Sequence, residues 1–280
     1  MRDVPYEVSG EGAPVLFVPG FPFGRHVFRQ LVPMTAARFR AVVPDLSGFE
    51  DASRQAAALG RLLERIGIER SAVIAHGTGG RVAQALAFGG GDAVDTVVLL
   101  ASPGPTGPVV FPESPDEALE RSHVEPMAAA DAEAYLGGWR RDARAYARGR
   151  AVLEAGDDVA GLEDAMDAWD RPVLILHGED DRIVEAGIAE RLGAAIPAST
   201  LGFVPESGHL LLDDAFASIG PMIVEYLRAR YLRAPHDHGG ITALQLERRP
   251  AWVDLARDEG DDDREPGIPD PAEQEVGHNP

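Results

Sequence analysis

Five short apolar runs constrain this chain most: Val15 to Val18, Ala41 to Val43, Ala72 to Ala75, Val97 to Leu100 and Val173 to Leu176. Each is four residues or so, continuous and not alternating, and bounded by Pro, Gly, Asp or charged residues, the pattern of strands buried on both faces. Between two of them Ala56, Leu59, Leu62, Leu63 and Ile66 recur at three- and four-residue spacing and form one apolar helical stripe. Strand-helix alternation of this kind predicts an α/β fold: a mostly parallel sheet flanked by helices on both sides.

The alternation stops after Leu100. Ser102 to Pro115 is rich in Pro and Gly and leads into a charged, Ala-rich stretch reaching about Asp170, which reads as a helical insertion. Its Met127, Tyr135, Leu136, Trp139, Tyr146 and Trp169 either line a pocket from above or pack the inserted helices together. The strand pattern resumes at Arg171 and Pro172, and an amphipathic helix is expected over 214 to 230, burying Phe216, Ile219, Ile223 and Leu227. The expected division is a first core segment over 1–104, a helical cap insertion over 105–170, a second core segment over 171–234 and a tail over 235–280. The tail carries ten carboxylates against two Arg after residue 250, too little apolar surface to offset chain entropy, so disorder is expected. Within it Leu244, Leu246, Trp252, Val253 and Leu255 make a short docking segment, for the protein's own surface or a protein partner. His236, Asp237 and His238 resemble a loose metal cluster but lack further ligands, and a solvated triplet is the simpler reading.

Composition narrows the chemistry. With no Cys there is no disulfide, thiolate zinc site or Cys nucleophile. A formal charge of -20 argues against a phosphate-backbone ligand, since such affinity comes from basic side chains displacing counterions. All basic residues other than His are Arg, which removes Schiff-base chemistry and the P-loop lysine. The first apolar run is too short for a membrane span, so no membrane association and a cytoplasmic location are the default expectation. Nothing suggests a metal, nucleotide or flavin, and no cofactor is expected; Gly-rich residues 77 to 80 lack the spacing of a dinucleotide fingerprint.

Ser71 to Gly80 reads as a buried strand turning sharply into a helix, and Ala75, His76, Gly77, Thr78 and Gly79 fit the frame small-x-nucleophile-x-small. Together with Val18-Pro19-Gly20-Phe21-Pro22, Pro44-Asp45-Leu46-Ser47-Gly48-Phe49, the Gly-x-x-Asp of Gly178 to Asp181, and Gly208-His209, this order resembles the α/β-hydrolase superfamily over residues 1 to about 232. The resemblance implies that His209 is the catalytic base, that Asp181 orients it, and that the amides of Phe21 and Thr78 form the oxyanion hole. It also implies a nucleophile at position 77, where this chain has Gly. Gly suits the positive-φ geometry of such an elbow but carries no reacting atom. Neither Thr78, expected to face along its helix, nor Ser102 is a good substitute.

Three functions follow. In the first, a small molecule lies between core and cap, and the His209–Asp181 pair transfers protons without an acyl-enzyme, in lyase, isomerase, cyclase or direct-hydrolysis chemistry. In the second, the protein is a pseudoenzyme that binds a small molecule or a protein. In the third, a conventional ester hydrolase has lost its nucleophile in this copy. Arg140, Arg141 and Arg144 either create a local anion-attracting potential or form a solvated helix face.

Overall fold

The computed structural model describes residues 4–46, 51–90, 92–156 and 161–231. The expected tail, with the His236-Asp237-His238 triplet and the docking segment, lies outside them, as does part of the loop after Asp45.

Each of the five apolar runs is a strand. With β1 (Tyr6–Ser9) at one edge they are β2 (Pro14–Val18), β3 (Arg40–Pro44), β4 (Ser71–His76), β5 (Val94–Leu100) and β6 (Val173–Gly178), followed by β7 (Ser199–Val204) at the other edge. The sheet order is β1-β3-β2-β4-β5-β6-β7, and every pairing is parallel except β1 with β3. The two strands that no apolar run announces are the edges. Tyr6 to Ser9 is exposed throughout, and Ser199 to Val204 is mostly half-buried. Such strands need no continuous apolar sequence, because solvent covers what a central strand would bury.

Helices α1 (Leu31–Ala36), α2 (Ala52–Arg65), α3 (Gly79–Phe88), α8 (Ala186–Ala195), α9 (Leu211–Asp214) and α10 (Phe216–Tyr231) are interspersed with the strands in the chain. Helix α2 starts where the Asp51 carboxylate accepts the Arg54 N–H, and it buries Ala52, Ala56, Leu59, Leu62 and Leu63, the face read from periodicity. Leu59 is fully buried, so its truncation to Ala would cost about 2–5 kcal/mol. The expected helix over 214 to 230 is interrupted at Ala215, which separates the single turn α9 from α10.

Four further helices, α4 (Pro115–Glu120), α5 (Ala129–Arg141), α6 (Ala143–Ala155) and α7 (Leu162–Asp167), lie between β5 and β6. Ser114 caps α4 through the Glu117 N–H, with Pro115 at the first position, and Asp142 caps α6 through the Ala145 N–H. Of the residues expected either to line a pocket or to pack the inserted helices together, Tyr135, Leu136 and Tyr146 are buried, whereas Trp169 packs edge-on against Phe88 of α3. Among the described residues no helix is long and apolar enough to cross a membrane.

Candidate active site

Parallel strands bring their carboxyl ends to one edge of a sheet, and the loops leaving those ends converge there. In this sheet they are the loop 19–24 after β2, the turn at Gly77 after β4, the Asp181 loop after β6 and the His209 loop after β7. Residues distant in the chain therefore meet over one sheet edge.

Gly77 has φ +53°, the left-handed conformation that lets β4 turn directly into α3. Its N–H donates to Leu100 O and its carbonyl accepts the Gly80 N–H, so the turn is tied both to the neighbouring strand and to the helix. The loop carrying Phe21 passes very close: a Cβ on Gly20 would lie 2.6 Å from His76 O and 2.7 Å from the Thr78 N.

His209 Nδ1 donates to Asp181 Oδ2 at 2.9 Å, and the other Asp181 oxygen accepts the Ile183 and Val184 N–H groups at 2.8 and 2.9 Å. Burial alone would raise the Asp181 pKa, but His209 and the two N–H donors outweigh it and hold the carboxyl below its ordinary value. The carboxylate is thus ionised and must be the acceptor, which puts a proton on His209 Nδ1; in the neutral form of the ring that leaves the lone pair on Nε2. Nε2 has no hydrogen-bond partner among the described residues and points at Gly77, where a Cβ would sit 2.9 Å away.

Two other histidines are buried nearby, and their arrangement differs. His76 Nε2 donates to the His209 carbonyl and His177 Nε2 to the Val184 carbonyl, each at 2.9 Å. Burial, and His209 beside it, lower the His76 pKa to about 3, and burial also lowers that of His177. Of the three, His209 alone gives its proton to a carboxylate.

Phe21 and Thr78, the residues expected to supply the oxyanion-hole amides, are neighbours in space. The Phe21 N–H donates to Thr78 Oγ1 at 2.8 Å. Thr78 is the N-cap of α3, a position whose hydroxyl normally accepts from its own helix, but here it makes no such bond and turns to the neighbouring loop. The expectation that Thr78 faces along its helix is therefore corrected: the hydroxyl occupies the acceptor position at the Phe21 amide. Ser102 is spent on structure, donating to Pro103 O and accepting from Gln84 Nε2.

His209 is 0 % exposed, enclosed by the rings of Phe23, His76 and Phe111. A cavity of about 250 Å³ is lined by Phe21, Thr78, Leu46, Val82, Trp139 and Leu153 among others. A second, of about 490 Å³, lies between the 103–110 segment and the residues after Asp181. Neither is lined by Gly77, Asp181 or His209.

Several residues that hold the site were not singled out by sequence reasoning. Arg81 of α3 is buried and donates to the carbonyls of Gly104, Thr106 and Gly107, pinning the segment that carries Phe111. Asp214 accepts from Gly208, Val124 and Glu125, and Leu210 N donates to Ser122 O, so the His209 loop is bound to the segment between α4 and α5. Asp213 accepts from Arg29 and from the Tyr135 hydroxyl. The available signals were a charged residue inside the elbow helix and two carboxylates directly after the His209 loop. Arg140 and Arg141 pair with Asp116 and Glu133 at the surface, and no described contact directs them toward the site.

A model of the alpha/beta hydrolase family matches residues 15–219. The chain belongs to the alpha/beta hydrolase family. This family member is 26% identical over 253 residues to the magnesium-chelatase 30 kDa subunit of Rhodobacter capsulatus, an alignment covering 78% of this chain and 87% of that protein. It is 23% identical over 249 residues to 2-hydroxymuconate semialdehyde hydrolase of Pseudomonas sp. strain CF600, covering 78% and 88%. Among solved structures it resembles an alpha/beta hydrolase fold protein from Burkholderia ambifaria, with a TM-score of 0.65 and 25% identity, over 79% of this chain and 93% of that one. The 2-hydroxy-6-oxo-6-phenylhexa-2,4-dienoate hydrolase of Rhodococcus sp. strain RHA1 has the same fold at 21% identity, with a TM-score of 0.68 over 80% and 94%.

Proposed function

We propose that this alpha/beta hydrolase family member binds a small molecule between the sheet edge and the inserted helices, which serve as its cap, and transfers protons to or from it through His209, oriented by Asp181, without a covalent intermediate. The supporting observation is the contrast among the buried histidines: only His209 hands its proton to a carboxylate, leaving a lone pair aimed at the elbow. An imidazole so held is a general base, a role contributing about 10² to 10⁴ in rate. Elimination, isomerisation, ring closure and hydrolysis of an already reactive substrate all suit it, with no nucleophile at Gly77 and no cofactor. The relatives' names span a chelatase subunit and a semialdehyde hydrolase, so family membership leaves the reaction open. A location in the cytoplasm, no nucleic-acid or membrane partner, and a protein partner for the acidic tail belong to the same reading.

The test is turnover of a short- and medium-chain activated-ester panel by wild type, Asp181→Asn and His209→Ala, with folding checked by near-ultraviolet circular dichroism. Turnover by wild type that drops at least a hundredfold in His209→Ala is the expected result. Equal rates in wild type and His209→Ala would overturn it. A second reading, binding without turnover, is favoured by the complete enclosure of His209. The third, a hydrolase that merely lacks its serine, requires the end of the His209 side chain to give way, because a Cβ at position 77 would lie 2.9 Å from its Nε2.

A further inference from the structure

The Thr78 hydroxyl has a use beyond accepting from Phe21. A hydroxyl has one hydrogen to donate and lone pairs to accept with. Thr78 Oγ1 spends a lone pair on the Phe21 N–H, and its own hydrogen meets no acceptor among the described residues. Thr78 is buried, and it lines the 250 Å³ cavity. Leaving a buried donor unmade is costly, and a hydroxyl that already accepts one hydrogen bond is a stronger donor of the next.

We propose that this cavity is a ligand site whose polar contact is the Thr78 Oγ1–H group, and that its ligand is a neutral, largely apolar carbonyl compound. The carbonyl oxygen accepts from Oγ1 while Oγ1 keeps the Phe21 N–H, so the oxygen-binding point lies one hydroxyl further from Gly77 than a backbone oxyanion hole would put it. Leu46, Val82, Val152 and Leu153 with the rings of Phe21 and Trp139 supply apolar walls. Arg25, Asp45 and Gln55 are also part of the lining; Asp45 disfavours an anion, and Arg25, which pairs with Glu7, disfavours a cation. A neutral ligand meets neither repulsion. A dry engineered cavity of about 150 Å³ holds benzene, so 250 Å³ corresponds to roughly ten non-hydrogen atoms. The proposal deepens the preceding one by naming the ligand class, and it depends on that reading only for a small-molecule ligand, not for proton transfer.

The test uses an isosteric pair, butyrophenone and butylbenzene, which differ by a carbonyl in place of a methylene. Binding is followed by titration calorimetry and by Trp139 fluorescence. Wild type is expected to bind the ketone about tenfold tighter than the hydrocarbon, equivalent to about 1.4 kcal/mol. Thr78→Val should bring that ratio close to one, and Thr78→Ser should keep it. Val152→Trp, at a partly exposed position of α6, should abolish binding of both by filling the cavity. A ratio near one in wild type, no binding of either probe, or a ratio unchanged in Thr78→Val would overturn the proposal; the first two need no variant that must fold. His209→Ala should bind both probes as wild type does. Loss of turnover with intact ketone preference, or the reverse, thus separates failure of the proton-transfer reading from failure of this one.

Discussion

Replacing Gly77 with Ala adds one methyl group and meets two separable penalties. The first is conformational: at φ +53° a residue with a Cβ costs about 1–2 kcal/mol relative to Gly. The second is steric: the new Cβ falls 2.9 Å from His209 Nε2, and the ring is pinned behind by its 2.9 Å bond to Asp181. Retreat of the ring compresses or breaks that bond, an overpacking penalty of about 1–3 kcal/mol. The sum is about 2–5 kcal/mol, and in a domain of this size each kcal/mol lowers Tm by about 2–4 °C. The measurement is the urea midpoint and Tm of wild type, Gly77→Ala, His209→Ala and the double variant. In the His209→Ala background the steric part disappears, so Gly77→Ala should cost only about 1–2 kcal/mol there. Equal costs in both backgrounds would show that the His209 ring does not occupy the nucleophile's space and need not give way to a serine.

Gly20→Ala behaves differently, because its Cβ would strike main-chain atoms of His76, Thr78 and Gly79 within 2.8 Å. A loss of about 3 kcal/mol or more, unrelieved by His209→Ala, is expected in the same denaturation assay. Arg81→Met strips the donors from three carbonyls of residues 104 to 107 and should cost roughly 3 kcal/mol, with faster amide exchange in that segment; a loss under about 1 kcal/mol would count against its pinning role. Stability should also fall in mild acid. The folded chain holds the His76 pKa at about 3 against an ordinary 6.5, so the unfolded chain binds more protons below pH 6.5. Stability is then lost as pH drops from 6.5 toward 3, by roughly 1 kcal/mol for His76 between about pH 7 and 5.5. His177, also lowered, adds in the same direction, whereas Asp181 contributes only as pH falls below its ordinary 3.8. A urea midpoint that does not move between those two pH values would contradict the burial of neutral His76.

The central strands and α2 were legible because burial on two faces or one stripe writes itself directly into the sequence. Tyr6 to Ser9 and Ser199 to Val204 were not, since edge strands are specified by pairing with β3 and β6 and by no pattern of their own. The resemblance pointed to Asp181, His209, Phe21, Thr78 and Gly77, all of which lie at the carboxyl end of the sheet, because loop sequence at strand ends is encoded in a few adjacent residues. What it did not convey was orientation. Whether the Thr78 hydroxyl caps its own helix or reaches Phe21 depends on how closely the loop at Gly20 approaches, a distance set by the packed sheet. The enclosure of His209 was equally invisible, as Phe111 reaches it from a Pro-rich segment whose path is fixed by Arg81.

The ties between the His209 loop and the segment between α4 and α5 bear on how the protein can be rebuilt. Ser122 O, the Val124 and Glu125 N–H groups and the Tyr135 hydroxyl are all partners of residues 210 to 214. The inserted helices are consequently not a freely exchangeable module: a graft of another family member's insertion between β5 and β6 would change the partners of Leu210, leave Asp213 with Arg29 and Asp214 with the Gly208 N–H alone, and loosen the loop that carries the imidazole. The natural unit of exchange is the insertion together with residues 207 to 214, taken from one parent.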